Sequence, residues 1–310
     1  MSSGSVSHWW DNYMTIEALE DGLTVTLTEM NTNYKLEYSL DGETWTRLSS
    51  GKYTPEINTR DVIAFKGDGS SYAMSNQGLG TFSISKKCNL LGNCMSLLYG
   101  DDVVGNDTAG MYSFNYLFYK CSSIISIADD FLPATYIGSY AYYHMFDSCT
   151  SMIKGPNLPA LQVNVSSYAY MFYGCISLVS APELPATQLS TYCYFQMFYG
   201  CSSLVNAPVL PAETLAASCY HAMFVGCSSL KKAPVLPAKT LMTQCYMQMF
   251  YGCKNLNYIK AMFTTTPSTT YTSSWVYGVA STGTFIKNKD ATWTTTGIHG
   301  MPEGWTIKTE

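Results

Sequence analysis

The side chains best suited to chemistry in this chain are 11 cysteines and 4 histidines. Their spacing argues against most of the chemistry open to them. Cys149, Cys175, Cys201, Cys227 and Cys253 recur every 26 residues, and Cys193, Cys219 and Cys245 recur at the same interval. No C-x-x-C pair exists, and thiol spacings of 18, 8 and 26 follow the repeat instead of a zinc site. His8, His144, His221 and His299 are far apart. Cys219 and His221 lie two apart, so on a helix they point away from each other, and a nucleophile needs its base within hydrogen-bond reach. Asp101, Asp102 and Asp107 cluster but lack the spaced ligands of a calcium loop, so they read as an exposed loop. Gly67-Asp68-Gly69 and Gly78-Leu79-Gly80 have no helix after them and read as turns, not phosphate cradles. The sequence therefore predicts no catalytic residue, no metal site and no cofactor.

The cysteines belong to a structural frame. Each full repeat reads C-x-S-L-x-x-A-P-x-L-P-A followed by x-x-L-x-x-x-C-Y-x-x-M-F-x-G. The frame extends backwards in degraded form through Cys121, preceded by Leu117-Phe118, and Cys94, followed by Met95-Ser96-Leu97. Repeats of this length cannot bury an apolar face alone and must stack, so residues 88–263 predict a solenoid of about seven coils. In the repeat from Cys201 the prolines Pro208 and Pro211 forbid helix, which makes the first half extended, with Leu204, Ala207 and Leu210 inward. The second half places Leu215, Cys219, Met223 and Cys227 at steps of four, with Tyr220 and Phe224 beside them. That stripe predicts a short helix, which Gly226 stops by taking the left-handed region. An odd number of cysteines in ladders predicts buried free thiols acting as small hydrophobes.

The flanks are built differently. After a tail over 1–10, residues 11–87 alternate apolar and polar in TIEAL (15–19), LTVTL (23–27), YKLEYSL (34–40), ETWTRL (43–48), DVIAF (61–65) and GTFSIS (80–85), the half-buried strand pattern. They predict a small Ig-like β-sandwich with Trp45, Tyr38 and Phe65 in its core, a hairpin turn at Asp41-Gly42 and a second candidate turn at Asp21-Gly22. Residues 264–310 lose the repeat and predict a β-rich cap, with strand-like pieces at Trp275-Val276-Tyr277, Thr284-Phe285-Ile286 and Trp305-Thr306-Ile307. The expected class is thus α+β: sandwich, leucine-rich-repeat-type solenoid and cap.

The runs MFYGCSSL, A-P-x-L-P-A and CYxxMF resemble the BspA-like leucine-rich surface proteins of bacteria and the related 26-residue bacterial surface repeat. The resemblance covers residues 88–263. It implies a leucine-rich-type solenoid in a cell-surface adhesin or host-interaction protein, and similar repeats also occur in proteins of phages and prophages of gut bacteria. It brings no catalytic residues.

Composition narrows the partners. With 47% apolar and 13% charged residues, a net charge of -5 and 17 Lys and Arg, the chain has no basic stripe for nucleic acid. No segment is apolar enough for membrane insertion, and the N-terminus MSSGSVSHWWDNY has neither the basic nor the apolar region of a leader peptide. Of the 25 tyrosines, Tyr142, Tyr168, Tyr194, Tyr220 and Tyr246 form a column expected at the core edge. Tyr119, Tyr173, Tyr199 and Tyr251 form another, interrupted by Asp147 and Val225, and an aspartate there implies that the position reaches solvent. This second column reads either as a rigid contact strip or as shielding for helix ends. Ile153-Lys154, Val179-Ser180, Val205-Asn206 and Lys231-Lys232, with Glu183, supply a second candidate surface, so Lys154, Ser180, Asn206 and Lys232 join the four tyrosines as expected ligand contacts. The expectation is a non-enzymatic protein that binds a cell-surface protein or glycan as a phage tail or fibre component assembled in the host cytoplasm, an arrangement compatible with a homo-oligomer. A bacterial cell-surface adhesin and a purely structural virion spacer are the alternatives.

Overall fold

A computed structural model describes residues 7–30, 33–69 and 78–310; residues 1–6 of the predicted tail lie outside them. Each predicted N-terminal run carries a strand: β1 (Met14–Ala18), β2 (Val25–Thr28), β3 (Leu36–Ser39), β4 (Thr46–Leu48), β5 (Val62–Gly67) and β6 (Thr81–Ile84). With β7 (Cys88–Gly92) and β9 (Ile124–Ile127), four of them form a six-stranded sheet of order β4-β3-β5-β1-β7-β9, while β2 pairs with β6 and the short strands β8 (Thr108–Ala109) and β10 (Tyr136–Ile137) pair with each other. β7 lies antiparallel to β1 and parallel to β9, so one sheet runs from the N-terminal strands into the first coils. Asp41-Gly42 sits in a longer loop than a two-residue hairpin turn: β3 pairs with β4 from Leu36↔Leu48 to Tyr38↔Thr46, and the Asp41 carboxylate accepts the Glu43 and Thr44 amides. Asp21-Gly22 joins no hairpin either, because β1 pairs with β5 and β7 and β2 with β6. Phe65 is fully buried, but Tyr38 and Trp45 are only half-buried; Trp45 packs on Tyr13 with the Lys66 ammonium above its ring.

From Cys88 the chain winds into a β-solenoid of about eight turns. The molecule is mostly β, and the two α-helices among the described residues, α1 (Ser96–Tyr99) and α2 (Thr269–Thr272), are each 4 residues long. This corrects the α+β expectation. In the half-coils predicted as helices the backbone instead forms overlapping turns. In the run before Cys201, alternate amides donate to the next coil: Tyr194 to Cys219 O, Gln196 to His221 O, Phe198 to Met223 O and Gly200 to Val225 O. The residues between them donate three residues back, Phe195 to Tyr192 O, Met197 to Tyr194 O and Tyr199 to Gln196 O. Every fourth residue is left-handed, with φ of 58° at Tyr192, 51° at Gln196 and 74° at Gly200. Gly200 and Gly226 do take the left-handed conformation, as the last of such a series and not as helix stops. Buried backbone polar groups must be paired. Here a ladder between coils does that work, and helical bonds could not serve the neighbouring coil.

The inward side chains are those the frame indicated. Tyr142, Tyr168, Tyr194, Tyr220 and Tyr246 lie inside the core and not at its edge, each no more than 1% exposed. Their rings stack with separations of 5.6–6.0 Å. A second stack runs Phe82, Phe118, Phe146, Phe172, Phe198, Phe224 and Phe250, and Phe65 joins it edge-on at 5.3 Å, making one core of the N-terminal strands and the coils. All 11 cysteines are buried and unpaired. The anchor column is more than filler, since the thiols of Cys149, Cys175, Cys201, Cys227 and Cys253 donate to the carbonyls of Phe118, Phe146, Phe172, Phe198 and Phe224 at 3.0–3.2 Å.

Residues 264–310 continue the winding before closing it. β11 (Tyr258–Ala261), β12 (Thr284–Lys287) and β13 (Thr306–Thr309) form a parallel sheet. Trp275 takes the next place in the phenylalanine stack, 6.1 Å from Phe250, so Trp275–Tyr277 is a turn segment of a further coil and not a strand. Trp275, Trp293 and Trp305 each donate the indole N–H to a backbone carbonyl, of Gly300, Phe263 and Ala280. These bonds let large apolar rings close the end of the stack without burying an unpaired N–H.

Candidate functional site

What the coils hold constant faces inward, so any site must be sought among the outward positions. Lys154, Ser180, Asn206 and Lys232 lie in one column of parallel bridges, Ser126↔Lys154↔Ser180↔Asn206 and then Lys232↔Tyr258, and all four are exposed. Ile153, Val179 and Val205 beside them are exposed as well, an apolar line uncommon on free surface. Lys154 pairs with Asp129 at 2.6 Å, and the Lys232 ammonium lies over the Tyr258 ring at 5.1 Å.

Tyr119, Tyr173, Tyr199 and Tyr251 are half-buried on another part of the coil. The structure brings together Tyr173 and Tyr199, stacked at 4.7 Å, while Tyr251 stacks on Tyr277 at 4.8 Å and Tyr119 stands apart against Tyr116 and His144. No hydrogen bond or ion pair joins this column to Lys154, Ser180, Asn206 or Lys232; buried cysteines and leucines separate the two along each coil. The inference from Asp147 is overturned. It is 5% exposed, because its carboxylate accepts from Ser148 Oγ at 2.6 Å and meets His144 Nδ1 at 2.5 Å. An aspartate at that place marks a satisfied buried acid instead of access to water.

Reading the half-coil as helix hid a third group. Tyr116, His144 and Tyr170 stack through three successive coils at 4.8 and 4.2 Å, with Tyr143 edge-on against each of them. Tyr112 and Tyr140 stack next to them at 5.0 Å. Desolvation, followed by the neighbouring Tyr143, pushes the Tyr116 and Tyr170 hydroxyls up to about 12, so both remain protonated donors at neutral pH. The available signal was the position five residues before each anchor cysteine, held by Tyr116, His144 and Tyr170.

The arrangement around His144 is not a hydrolytic triad. Ser148 donates to the aspartate and not to the imidazole, and Tyr116 and Tyr170 cover both faces of the ring. A triad needs the nucleophile on the histidine nitrogen that the acid leaves free. His221 is a single base against Phe195, with a buried Nδ1 that has no partner and a pKa lowered by desolvation. Asp101, Asp102 and Asp107 do not converge: Asp101 takes Lys66 and the Tyr13 hydroxyl, and Asp107 takes Thr135. Among the described residues no three His, Cys, Asp or Glu side chains are grouped to hold a metal, and no helix is long and apolar enough to cross a membrane. Burial raises the pKa of every cysteine thiol, the opposite of what a nucleophile requires.

Comparison of the chain with family models, with curated proteins and with solved structures gives no match.

Proposed function

We propose that the chain is a non-enzymatic recognition protein whose solenoid displays aromatic and polar side chains to a cell-surface protein or glycan. The observation that carries this reading is the division of each coil. Inward positions repeat the same side chains, whereas the outward ones hold rigid tyrosine stacks and change from coil to coil. Tyrosine gives a large amphipathic contact at low entropic cost, and a constant scaffold with a varied surface is the physical form of a binding protein. The reading takes residues 11–87 as a small Ig-like sandwich that attaches or spaces the coils. It takes the coils themselves as leucine-rich in type, on the strength of their resemblance to BspA-like repeats.

For the setting we favour a phage tail or fibre component, since buried, unpaired thiols suit a chain assembled in a reducing host cytoplasm. A bacterial cell-surface adhesin is the second reading, supported by the same repeat resemblance. Attachment of the fluorescently labelled intact chain to bacterial and epithelial cells tests recognition directly. Saturable binding that protease or periodate treatment of the cells removes is expected; absence of saturable binding to either cell type would favour a spacer.

A further inference from the structure

Two backbone ladders that clasp the extended half-coils fail at one and the same step. The amide four residues after the anchor cysteine donates to the coil before it, Val179 to Ile153 O and Val205 to Val179 O, and again Asn257 to Lys231 O, but no such bond joins Lys231 to Val205. The parallel bridges stop there too, running as far as Asn206 and resuming at Lys232↔Tyr258. Between these two coils a cleft of about 290 Å³ opens. Val205, Val209 and Val235 form its rim, 46%, 74% and 44% exposed, and Asn206 and Lys232 are its only polar side chains. Pro208 and Pro234, both buried, also line it, and their fixed φ keeps the backbone there rigid.

The outward residues change at this step as well. In the two coils before, Asn157 and Glu183 hold the place taken by Val209 and Val235, and the column of Ile153, Val179 and Val205 turns to Lys231. Lys231 and Lys232 are both exposed. Among the described residues neither pairs with a carboxylate, whereas Lys154, two ladder steps before Asn206, is held by Asp129. The Lys232 ammonium stands over the Tyr258 ring at 5.1 Å, which holds a positive charge beside the cleft.

We infer that this cleft docks an extended peptide of a partner protein in which a branched aliphatic side chain adjoins an aspartate or glutamate. The aliphatic group covers Val205, Val209 and Val235, and the carboxylate meets Lys232 and Lys231. The proposal rests on the recognition reading above and gives it a partner class. Three half-exposed valines around one hollow gain from being covered by apolar surface. In a chain of net charge -5 an unpaired lysine pair is a local exception, and it selects an acidic partner. Glu183, one coil before Val209, repels that acid and so directs it to the lysine side. A sugar fits less well, because no aromatic ring lines the cleft and two polar side chains cannot replace the water bonds of its hydroxyls.

The probes are short fluorescent peptides with Leu-Asp or Ile-Glu at the centre, titrated with the intact chain and read by anisotropy. Versions with lysine in place of the acid, or alanine in place of the aliphatic residue, accompany them. Wild type is expected to bind the acidic aliphatic peptides saturably and both altered versions at least about tenfold more weakly. Val209→Asp and Lys232→Glu change exposed positions and are expected to weaken the same peptides by at least about tenfold. Lys52→Glu, which makes the same change of charge on the N-terminal domain, should match wild type. Should Lys232→Glu fold poorly, Lys232→Gln removes the charge alone and is expected to weaken binding in the same direction. Equal binding of the lysine and aspartate peptides, or equal binding by wild type, Val209→Asp and the Lys232 variant, overturns the cleft. So does concentration-dependent self-association that Val209→Asp abolishes while no peptide binds, which makes a second copy the occupant. No peptide binding by a chain that attaches saturably to cells overturns the cleft and leaves recognition standing. Peptide binding as expected, without saturable attachment to either cell type, keeps the cleft and overturns the wider reading.

Discussion

Removing a hydroxyl from the middle of the core should make this protein more stable. The hydroxyls of Tyr142, Tyr194 and Tyr246 are buried and have no hydrogen-bond partner, and the three residues are no more than 1% exposed. Burying an unpaired hydroxyl costs about 1–3 kcal/mol in protein mutational data. Tyr194→Phe keeps the ring between Tyr168 and Tyr220, both 5.7 Å away, and takes out only the oxygen. The small void left behind returns part of the gain, so the expected net change is a stabilisation of about 1 kcal/mol. Tyr142 and Tyr194 are two ring steps of 5.6 and 5.7 Å apart, far enough for independent effects. The triple variant Tyr142→Phe, Tyr194→Phe, Tyr246→Phe should therefore gain about 3 kcal/mol. Urea unfolding followed by circular dichroism measures it as a higher midpoint at unchanged slope. A loss of about 1 kcal/mol or more in Tyr194→Phe would refute the reasoning, because it would mean the hydroxyl is bonded in the folded chain.

Two further outcomes follow from the same packing. Burial lowers the pKa of His221; below its unfolded value of about 6.5 the unfolded chain takes up a proton that the folded chain resists. Its contribution to stability is thus complete above that pH and is lost as pH falls towards the folded pKa. Thermal melts should show a smaller loss between pH 7.5 and 5 in His221→Phe than in wild type, and identical losses would contradict the assignment. Gly226→Ala tests the turn ladder: φ is 72° and the new Cβ would meet only ordinary contacts at 3.8 Å, so the cost is backbone strain of about 1–2 kcal/mol. Unchanged or increased urea stability would place Gly226 outside the left-handed region.

The stacking, its period and nearly every inward residue were legible in the sequence, because a coil that buries the same face against its neighbours must repeat that face. The local conformation was not. Leu215, Cys219, Met223 and Cys227 at steps of four match a helix over one turn, but a helix of 3.6 residues per turn rotates such a stripe by about 40° at each step. Over three steps the stripe leaves the core. A backbone with a left-handed residue at every fourth position holds it in register, and the paired spacing C-Y-x-x-M-F-x-G-C was the trace of this in the sequence. The helical frame then misplaced the surface, hiding the Tyr116, His144 and Tyr170 stack and making Asp147 look exposed. Its partner His144 is three residues away, a spacing that brings side chains together on a helix too, so this pairing was open to the sequence reading and was missed. In the N-terminal strands alternation located every element, while Asp41-Gly42 misled because β3 and β4 pair across a longer loop.

The recognition account is tested most directly by cell attachment of Tyr173→Ala, Tyr199→Ala, Tyr251→Ala in one chain, compared with wild type at matched folding by circular dichroism. These three half-buried rings lie outside the stacked core, so the variant should keep the fold. The account expects saturable attachment by wild type and at least a tenfold loss in the variant, in line with rigid aromatic anchors carrying most of a binding energy. Equal attachment by both chains would contradict it and would leave the tyrosine column as shielding for the coil ends.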